Sequence, residues 1–252
     1  MRVKLLQATA LVALVALAGC TGFFGGIPQE QLCQDQSYDW NGSAAATYNV
    51  TTGGQYHAVY EVNNTSTIEL YRTDGLGNDQ PLRIRSVKFR AANGTVYDCE
   101  DVNVSTSRRR TTVDLPAEDG SFAYTASSTP KRFTSRRFVN GSHEVVLPAD
   151  REVSNPLFGN VQPGGYEVDR SGERLRITWE TVDGESLLVQ YYLERDIVLF
   201  FGLVTVAGLA AVGGVLYYYR LIRGLRRKRE EAGLDVDVED DEFDDEPPPG
   251  MR

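Results

Sequence analysis

The stretch LRIRSVKFR at residues 82–90, followed by Asn93-Gly94 and by TVYD at residues 95–98, decides the fold class. Short runs rich in β-branched and aromatic residues, bounded by turn residues, are typical of β-strands. Asn and Gly both tolerate positive φ, so Asn93-Gly94 between two such runs predicts a β-hairpin. We therefore expect antiparallel β structure here.

The same arrangement recurs three times in the surrounding chain. Runs at 56–62 and 67–72 flank residues 63–66, runs at 131–139 and 142–147 flank Asn140-Gly141, and runs at 174–180 and 186–193 flank Asp183-Gly184. Strands separated by frequent turns predict an antiparallel sandwich or barrel. The expected fold is mainly β, a sandwich-like extracytoplasmic domain at 33–194, built as one domain or two small ones. At most one helical turn is expected within it, at 150–158.

A single transmembrane α-helix is predicted at residues 197–219, a run of 23 residues without a charge. Such a helix is about 35 Å long, enough to cross about 30 Å of hydrocarbon. The bases that follow it are Arg220, Arg223, Arg226, Arg227, Lys228 and Arg229. The positive-inside rule places this cluster, and the whole of 220–252, in the cytoplasm. Small residues four apart, Ala207 with Ala211 and Ala210 with Gly214, favour a homodimer through the helix, although such residues are common in membrane helices.

The N-terminus has the pattern of an export signal. Arg2 and Lys4 precede an apolar run at 5–18, which is too short to span a bilayer. The sequence Leu17-Ala18-Gly19-Cys20 is typical of a lipobox, which predicts a signal peptide at 1–19, a lipid on Cys20 and a tether at 20–32. The alternative is an ordinary signal peptide with a chance cysteine. Export places the β domain outside the cell, in agreement with the charge rule.

The charge composition is acidic and poor in lysine. The chain has 35 acids against 26 bases, a net charge of −9, and only four of the bases are lysine. This balance is typical of proteins from salt-loving archaea, and a GC-rich genome is the alternative cause. Net negative charge argues against nucleic acid as a partner. Residues 230–246 hold eleven acids and no base, so this tail is expected to be disordered.

Two cysteines remain once Cys20 carries a lipid. In an exported domain Cys33 and Cys99 are expected to form a disulfide, with two free thiols as the alternative.

Seven asparagines fit the glycosylation pattern Asn-x-Ser/Thr, more than chance predicts. They are Asn41, Asn49, Asn63, Asn64, Asn93, Asn103 and Asn140. This excess indicates a glycosylated cell surface. Turn chemistry alone accounts for Asn41, Asn93 and Asn140, but not for Asn49 or Asn103.

One basic stretch stands out at residues 103–140. Its bases are Arg108, Arg109, Arg110, Lys131, Arg132, Arg136 and Arg137, against three acids. The stretch predicts an anion patch for an anionic glycan, a lipid headgroup or an acidic protein. The alternative is a set of solvated strand faces paired with neighbouring acids.

No catalytic motif is present, and neither a metal nor a cofactor is predicted. The only histidines, His57 and His143, lie outside any zinc-binding pattern, and a structural role is favoured for both. The chain has no Gly-x-Ser-x-Gly elbow, phosphate-binding loop or dinucleotide fingerprint.

The lipobox, the β domain rich in glycosylation patterns, the C-terminal helix and the acidic tail together resemble haloarchaeal membrane lipoproteins of unknown function. The segment from Asn155-Pro156-Leu157-Phe158-Gly159 to Gly164-Gly165-Tyr166, with the junction at 191–196, is similar to the recurring pattern of such a family. The resemblance implies no activity. The expected function is a binding or structural module of the envelope, with membrane lipid and another envelope or membrane protein as partners. The alternative is an extracytoplasmic hydrolase, which a deep pocket combining a histidine with a serine would favour.

Overall fold

A computed structural model describes residues 26–231 and residue 233. The chain divides into two compact units, one ending at Glu194 and the other beginning at Arg195. The predicted signal peptide at 1–19, Cys20 and the tether up to residue 25 lie outside the described residues, as does the acidic tail from 234 to 252.

The first unit contains one short helix and many short strands. These are α1 (Gln29–Leu32), β1 (Ala46–Val50), β2 (Gln55–Val62), β3 (Thr67–Thr73), β4 (Asp79–Pro81), β5 (Ile84–Ala91), β6 (Val96–Tyr97), β7 (Asn103–Thr106), β8 (Thr111–Asp114), β9 (Gly120–Ser127), β10 (Arg132–Arg136), β11 (His143–Val146), β12 (Arg151–Glu152), β13 (Asn160–Gln162), β14 (Tyr166–Ser171), β15 (Arg174–Trp179), β16 (Ser186–Gln190) and β17 (Tyr192–Leu193).

The strands form one large sheet and three small ones. The large sheet has eight strands in the order β14-β15-β11-β1-β2-β9-β5-β6. The small sheets have the orders β4-β3-β8-β7, β10-β16-β13 and β12-β17. One hydrophobic core takes side chains from the large sheet, such as Trp179, and from two of the small sheets, such as Leu70 and Phe133. The predicted mainly β, sandwich-like fold is confirmed.

Side-chain alternation explains how the large sheet builds this core. In β1, Ala46, Tyr48 and Val50 are completely buried, whereas Thr47 and Asn49 on the opposite face are half-buried. Because successive side chains of a strand point to opposite faces, one face is apolar and the other carries polar groups. The second face is therefore the one available for a site.

Four tyrosines fill the centre of the core. Tyr48, Tyr56, Tyr60 and Tyr124 are each at most 2% exposed. The hydroxyls of Tyr60 and Tyr124 form a hydrogen bond of 2.6 Å with each other. This pairing lets large aromatic rings be buried without leaving either hydroxyl unsatisfied.

The turn predictions were right about chain reversal and mostly wrong about pairing. Asn93-Gly94 does join a hairpin, β5 with β6, and Gly94 has the positive φ of 87° that the turn requires. The strands on either side of residues 63–66, of Asn140-Gly141 and of Asp183-Gly184 lie in different sheets. Turn chemistry reverses the chain, but the burial of each strand's apolar face selects its partner. The segment 150–158 contains β12 and a single turn in which the Asn155 carbonyl accepts from the amides of Phe158 and Gly159, within the one helical turn expected there.

One pairing in the large sheet is parallel. β1 runs parallel to β11, with Ala46 beside His143 and Asn49 beside Val146. This parallel pairing is the exception in an otherwise antiparallel sheet, and it joins strands that are separated by a long crossover of the chain.

The second unit contains the helix α2, Glu194–Glu231, which is 38 residues long. Within the described residues it is the one helix long and apolar enough to cross a membrane. At 1.5 Å per residue it extends about 57 Å, and the predicted span at 197–219 occupies its N-terminal part, beginning three residues after the helix starts. The basic residues at 220–229, predicted as a stop signal, continue the same helix.

Candidate functional site

A cleft of about 210 Å³ lies on the polar face of the eight-stranded sheet. We call it the outer cleft. Its floor consists of side chains of β1, β2, β11 and β15, and residues 37–43 form a wall. Its charged and hydrogen-bonding groups include Asp39, Asn49, His57, Glu144, Arg174 and Arg176.

Strand pairing sets the floor of the outer cleft in a transverse row. His57 lies opposite Asn49, Asn49 lies beside Val146, and Val146 lies opposite Arg176. Neighbouring strands are about 4.8 Å apart, so this row of four spans about 14 Å. The parallel pairing of β1 with β11 is what brings the two halves of the row together.

An ion pair fixes one side of the floor. Nη1 of Arg176 lies 2.7 Å from Oε2 of Glu144. The Glu144 residue is only 5% exposed, and burying a carboxylate is costly unless a partner of opposite charge is hydrogen-bonded to it. Arg176 therefore neutralises Glu144, and the pair contributes little net charge to the cleft.

Arg174 is held differently. Its Nε donates to the Leu147 carbonyl at 3.1 Å and its Nη2 donates to Oδ1 of Asn49 at 2.5 Å. Within the described residues, no carboxylate lies at ion-pair distance from this guanidinium. Burial, and then the positive charge of Arg176, lower the pKa of Arg174 below its ordinary value. An arginine remains protonated at neutral pH, so the cleft holds a half-buried cation from which every described carboxylate, including Asp39 of the cleft wall, lies beyond ion-pair distance.

A chain of hydrogen bonds orients His57. The Tyr38 hydroxyl donates to the Ser86 carbonyl at 2.5 Å, which uses its only hydrogen. Thr125 Oγ1, 2.9 Å from the Tyr38 hydroxyl, must then donate to it. Nδ1 of His57, 2.8 Å from Thr125 Oγ1, consequently carries a hydrogen and donates it. Every group in the chain is satisfied only if Nε2 of His57 is the acceptor nitrogen.

The Ser86 carbonyl reaches Tyr38 because β5 is irregular at this point. The pairing of β5 with β9 shifts register between Arg85 and Lys88, and Ser86 has a φ of 54°. Such bulges redirect backbone groups, and a non-glycine residue keeps this φ only when its surroundings hold it.

Burial lowers the pKa of His57, so its imidazole is neutral at pH 7. Burial also raises the pKa of Tyr38, which keeps its hydroxyl protonated.

The wall of the outer cleft is packed closely against the sheet. A Cβ on Gly42 would lie 2.6 Å from Thr47 Oγ1, so a larger residue does not fit there. The Trp40 carbonyl accepts a 2.8 Å hydrogen bond from Arg90, whose guanidinium lies 5.3 Å from the centre of the Trp40 ring. The wall is therefore a defined structural element rather than a loose segment.

A disulfide precedes this wall in the chain. The structure joins Cys33 and Cys99, which are 66 residues apart in sequence. The bond fixes the end of α1 beside the segment that follows β6, so the wall begins from a fixed point.

The predicted anion patch is only partly assembled. Arg110 and Arg136 approach the same Tyr71 ring, at 4.8 and 5.0 Å from its centre. Arg110 is paired with Glu69, and Arg136 lies 3.2 Å from Glu185. Arg108 and Arg109 lie between β7 and β8, Lys131 and Arg132 lie at the start of β10, and Arg137 donates to the Val182 carbonyl. These pairings resemble the alternative of paired strand faces, and anion binding by the patch stays a prediction.

The glycosylation asparagines are mostly accessible. Asn41, Asn63, Asn64, Asn93, Asn103 and Asn140 are exposed. Asn49 is half-buried on the floor of the outer cleft, where it accepts the hydrogen bond from Arg174. Modification of any of the seven stays a prediction, and at Asn49 a glycan and a cleft ligand would exclude each other.

The sequence did not reveal Glu144, Arg174 or Arg176 as site residues. The alternation of Arg174, Arg176 and Thr178 with buried Leu175, Ile177 and Trp179 could have marked one polar strand face. Nothing local indicated that β11 and β15 would join β1.

The two histidines have different surroundings. His143 is completely buried, and its Nδ1 lies 3.0 Å from the Gly141 carbonyl, which fits the structural role predicted for it. His57 lines the outer cleft, which the sequence did not indicate. In the part of the chain that the structure describes, no group of three or more potential metal-binding side chains occurs.

The fold and the outer cleft define a mainly β protein with one helix that could cross a membrane. Residues 42–237 match the model of a family of unknown function, DUF5803. The match covers more than half of the chain, and the protein belongs to this family. The matched residues include the strands that form the floor of the outer cleft and the helix α2. No curated protein and no solved structure matches the chain.

Proposed function

We propose that the protein is a cell-surface lipoprotein held at the membrane by both ends, through a lipid on Cys20 and through the helix at 197–219. Its β unit lies outside the cell and its acidic tail in the cytoplasm. The β unit acts as a binding or structural module of the envelope. Its partners are membrane lipid and another envelope or membrane protein, and the net charge of −9 disfavours nucleic acid.

One observation carries this proposal. β17 ends at Leu193 and α2 begins at the next residue, so no linker separates the β unit from the candidate membrane helix. β17 is itself paired with β12, with Glu152 opposite Tyr192. A domain attached this closely cannot reach far from the bilayer. The arrangement suits assembly with neighbouring envelope components better than capture of distant ligands.

The two anchors are tested separately. Cys20→Ser blocks lipid addition, yet the protein should stay in the membrane fraction because the helix suffices. Deletion of residues 197–252 with Cys20 intact should also leave the protein membrane-bound. Complete release of this truncated protein would refute the lipid anchor, and release of Cys20→Ser would refute the helix anchor.

Orientation is tested by protease protection of the acidic tail. In right-side-out vesicles the tail should be protected, because the basic residues before it stay in the cytoplasm. Neutralising Arg226, Arg227, Lys228 and Arg229 together should expose part of the population or lower its yield. A wild-type tail that is digested in sealed vesicles would show the opposite orientation.

The module itself is tested by cross-linking and affinity purification from native membranes. A matched control protein carries the same lipid signal and helix without residues 33–193. A partner enriched with the whole protein but not with the control supports a module that acts through its β unit. Identical partners for both proteins would refute it.

A second candidate function, an extracytoplasmic hydrolase, is favoured by the acceptor nitrogen of His57 beside the cleft. Such an enzyme also needs a nucleophile. Ser37 and Ser43 line the cleft, but among the described residues no serine hydroxyl is hydrogen-bonded to His57. Hydrolysis of carboxylic esters that is lost in His57→Gln and in one of the two serine→Ala variants would favour the enzyme over the module.

A further inference from the structure

We propose that the outer cleft binds a small ligand bearing a carboxylate, together with a hydroxyl that the ligand donates to His57. The inference rests on the proposed function, because it names the ligand class of the binding module. The carboxylate is held by Arg174, and the neighbouring groups select the rest of the ligand.

The charged side chains of the cleft indicate an anionic ligand. Arg176 is neutralised by Glu144, whereas Arg174 has no carboxylate partner among the described residues. With Nε and Nη2 engaged, Nη1 of Arg174 has no acceptor in that part of the chain. A half-buried guanidinium with one unengaged nitrogen can donate a charged hydrogen bond to a carboxylate.

The geometry of the floor carries the second step. Arg174 donates to Asn49, and Asn49 lies directly opposite His57 in the pairing of β1 with β2. The Nε2 of His57 accepts rather than donates, as the chain through Thr125 and Tyr38 requires. A ligand beside both groups therefore needs an anion at one end and a hydrogen-bond donor at the other.

The size of the cleft carries the third step. Its volume of about 210 Å³ is below the roughly 300–1,000 Å³ of clefts that take drug-sized ligands. A hydroxy acid or one uronic acid residue fits these requirements. Both offer the same chemistry, one as a free metabolite and the other as part of an acidic glycan.

The probes are glucuronate, which has both groups, acetate, which has only the carboxylate, and glucose, which has only hydroxyls. Binding to the detergent-solubilised whole protein is followed by saturation-transfer NMR and titration calorimetry. Glucuronate should bind more tightly than acetate, acetate should compete with it, and glucose should not bind. Tighter binding of a glucuronate oligosaccharide indicates a glycan source, and equal binding of lactate indicates a free acid.

Arg174→Gln should weaken glucuronate binding about tenfold or more, because charged hydrogen bonds are lost. Arg83→Gln, at an exposed arginine outside both the cleft and the predicted anion patch, should leave it unchanged. Arg174 also supports the fold, so a second pair of variants is needed. Val146→Glu places a carboxylate on the floor beside the arginines and should block binding. The matched control Val96→Glu adds the same carboxylate at an exposed position of β6 outside the cleft and should not block it.

Three results would overturn the inference. They are no binding of glucuronate by the wild-type protein, binding of glucose as tight as that of glucuronate, and equal binding by Val146→Glu and Val96→Glu. None of these three results would refute the proposed membrane-anchored module, which the fractionation and cross-linking experiments test independently.

Discussion

Removal of the disulfide between Cys33 and Cys99 should lower the free energy of unfolding by about 4 kcal/mol. The bond closes a loop of 66 residues. In the chain-entropy model this loop lowers the entropy of the unfolded chain by about 15 cal/mol/K, which gives that value at 25 °C. For a protein of this size the melting temperature should fall by about 8–16 °C.

The assay compares urea unfolding of Cys33→Ala/Cys99→Ala with the oxidised parent, both in a Cys20→Ser background so that no other thiol is present. The m-value should rise in the variant, because its unfolded chain is less compact. Chemical reduction of the parent should reproduce the loss. Thiol labelling of the folded parent should find no free thiol.

The reasoning is refuted if the loss is under about 1 kcal/mol, since the loop-closure effect would then be absent. It is also refuted if both cysteines are labelled without a reductant. Because the bond anchors the wall of the outer cleft, the variant should also bind glucuronate more weakly than the oxidised parent at a temperature where both are folded.

Three further predictions follow from the buried groups and the exposed asparagines. Tyr60→Phe should destabilise the protein by about 1–3 kcal/mol because it removes the hydrogen bond to the buried Tyr124 hydroxyl. The double Tyr60→Phe/Tyr124→Phe variant should be closer to the parent, and additive losses in thermal unfolding would contradict this. The pKa of His57 is lowered in the folded state, so the stability that the neutral imidazole contributes is present above the ordinary pKa near 6.5 and is lost as pH falls through the folded pKa. The His57→Gln variant should therefore lose less stability than the parent between pH 7.5 and 5. An unchanged pH dependence of the unfolding free energy in this variant would contradict the prediction. The mass of the protein isolated from its native host should exceed the mass calculated from the sequence, and Asn93→Gln and Asn140→Gln should each lower this excess. If intact-protein mass spectrometry finds no added mass, the glycan prediction is wrong.

The local parts of the fold could be predicted from the sequence, and the long-range parts could not. The hairpin at Asn93-Gly94 was predicted correctly because φ preference is a property of those two residues. The strand containing Tyr48 was missed, and so was β9, which is buried along almost its whole length. A strand covered on both faces, with small residues such as Ala123 on its second face, shows a weak pattern.

The candidate site was less predictable for the same reason. The acceptor role of His57 depends on Tyr38 and Thr125, which are far from it in sequence. Arg174 lacks a carboxylate partner among the described residues because Glu144 forms its ion pair with Arg176. The basic stretch at 103–140 is obvious in the sequence, yet Arg110 and Arg136 are paired with carboxylates about 40 to 50 residues away in the chain, which sequence spacing cannot reveal.

The parallel pairing of β1 with β11 also sets an order of assembly. All the strands on one side of this pairing, β1, β2, β9, β5 and β6, lie between residues 46 and 127 and are available early as the chain emerges. β11 is aligned with β1 through His143 and Ala46, which are 97 residues apart, and β15 and β14 follow only after it. Contacts that close such long loops form slowly. Because the outer cleft needs both halves of the sheet, it exists only when synthesis has passed residue 179, shortly before the apolar helix emerges. Binding of the ligand proposed for the outer cleft would therefore report a completed sheet, because a chain stalled before β15 lacks Arg174 and Arg176.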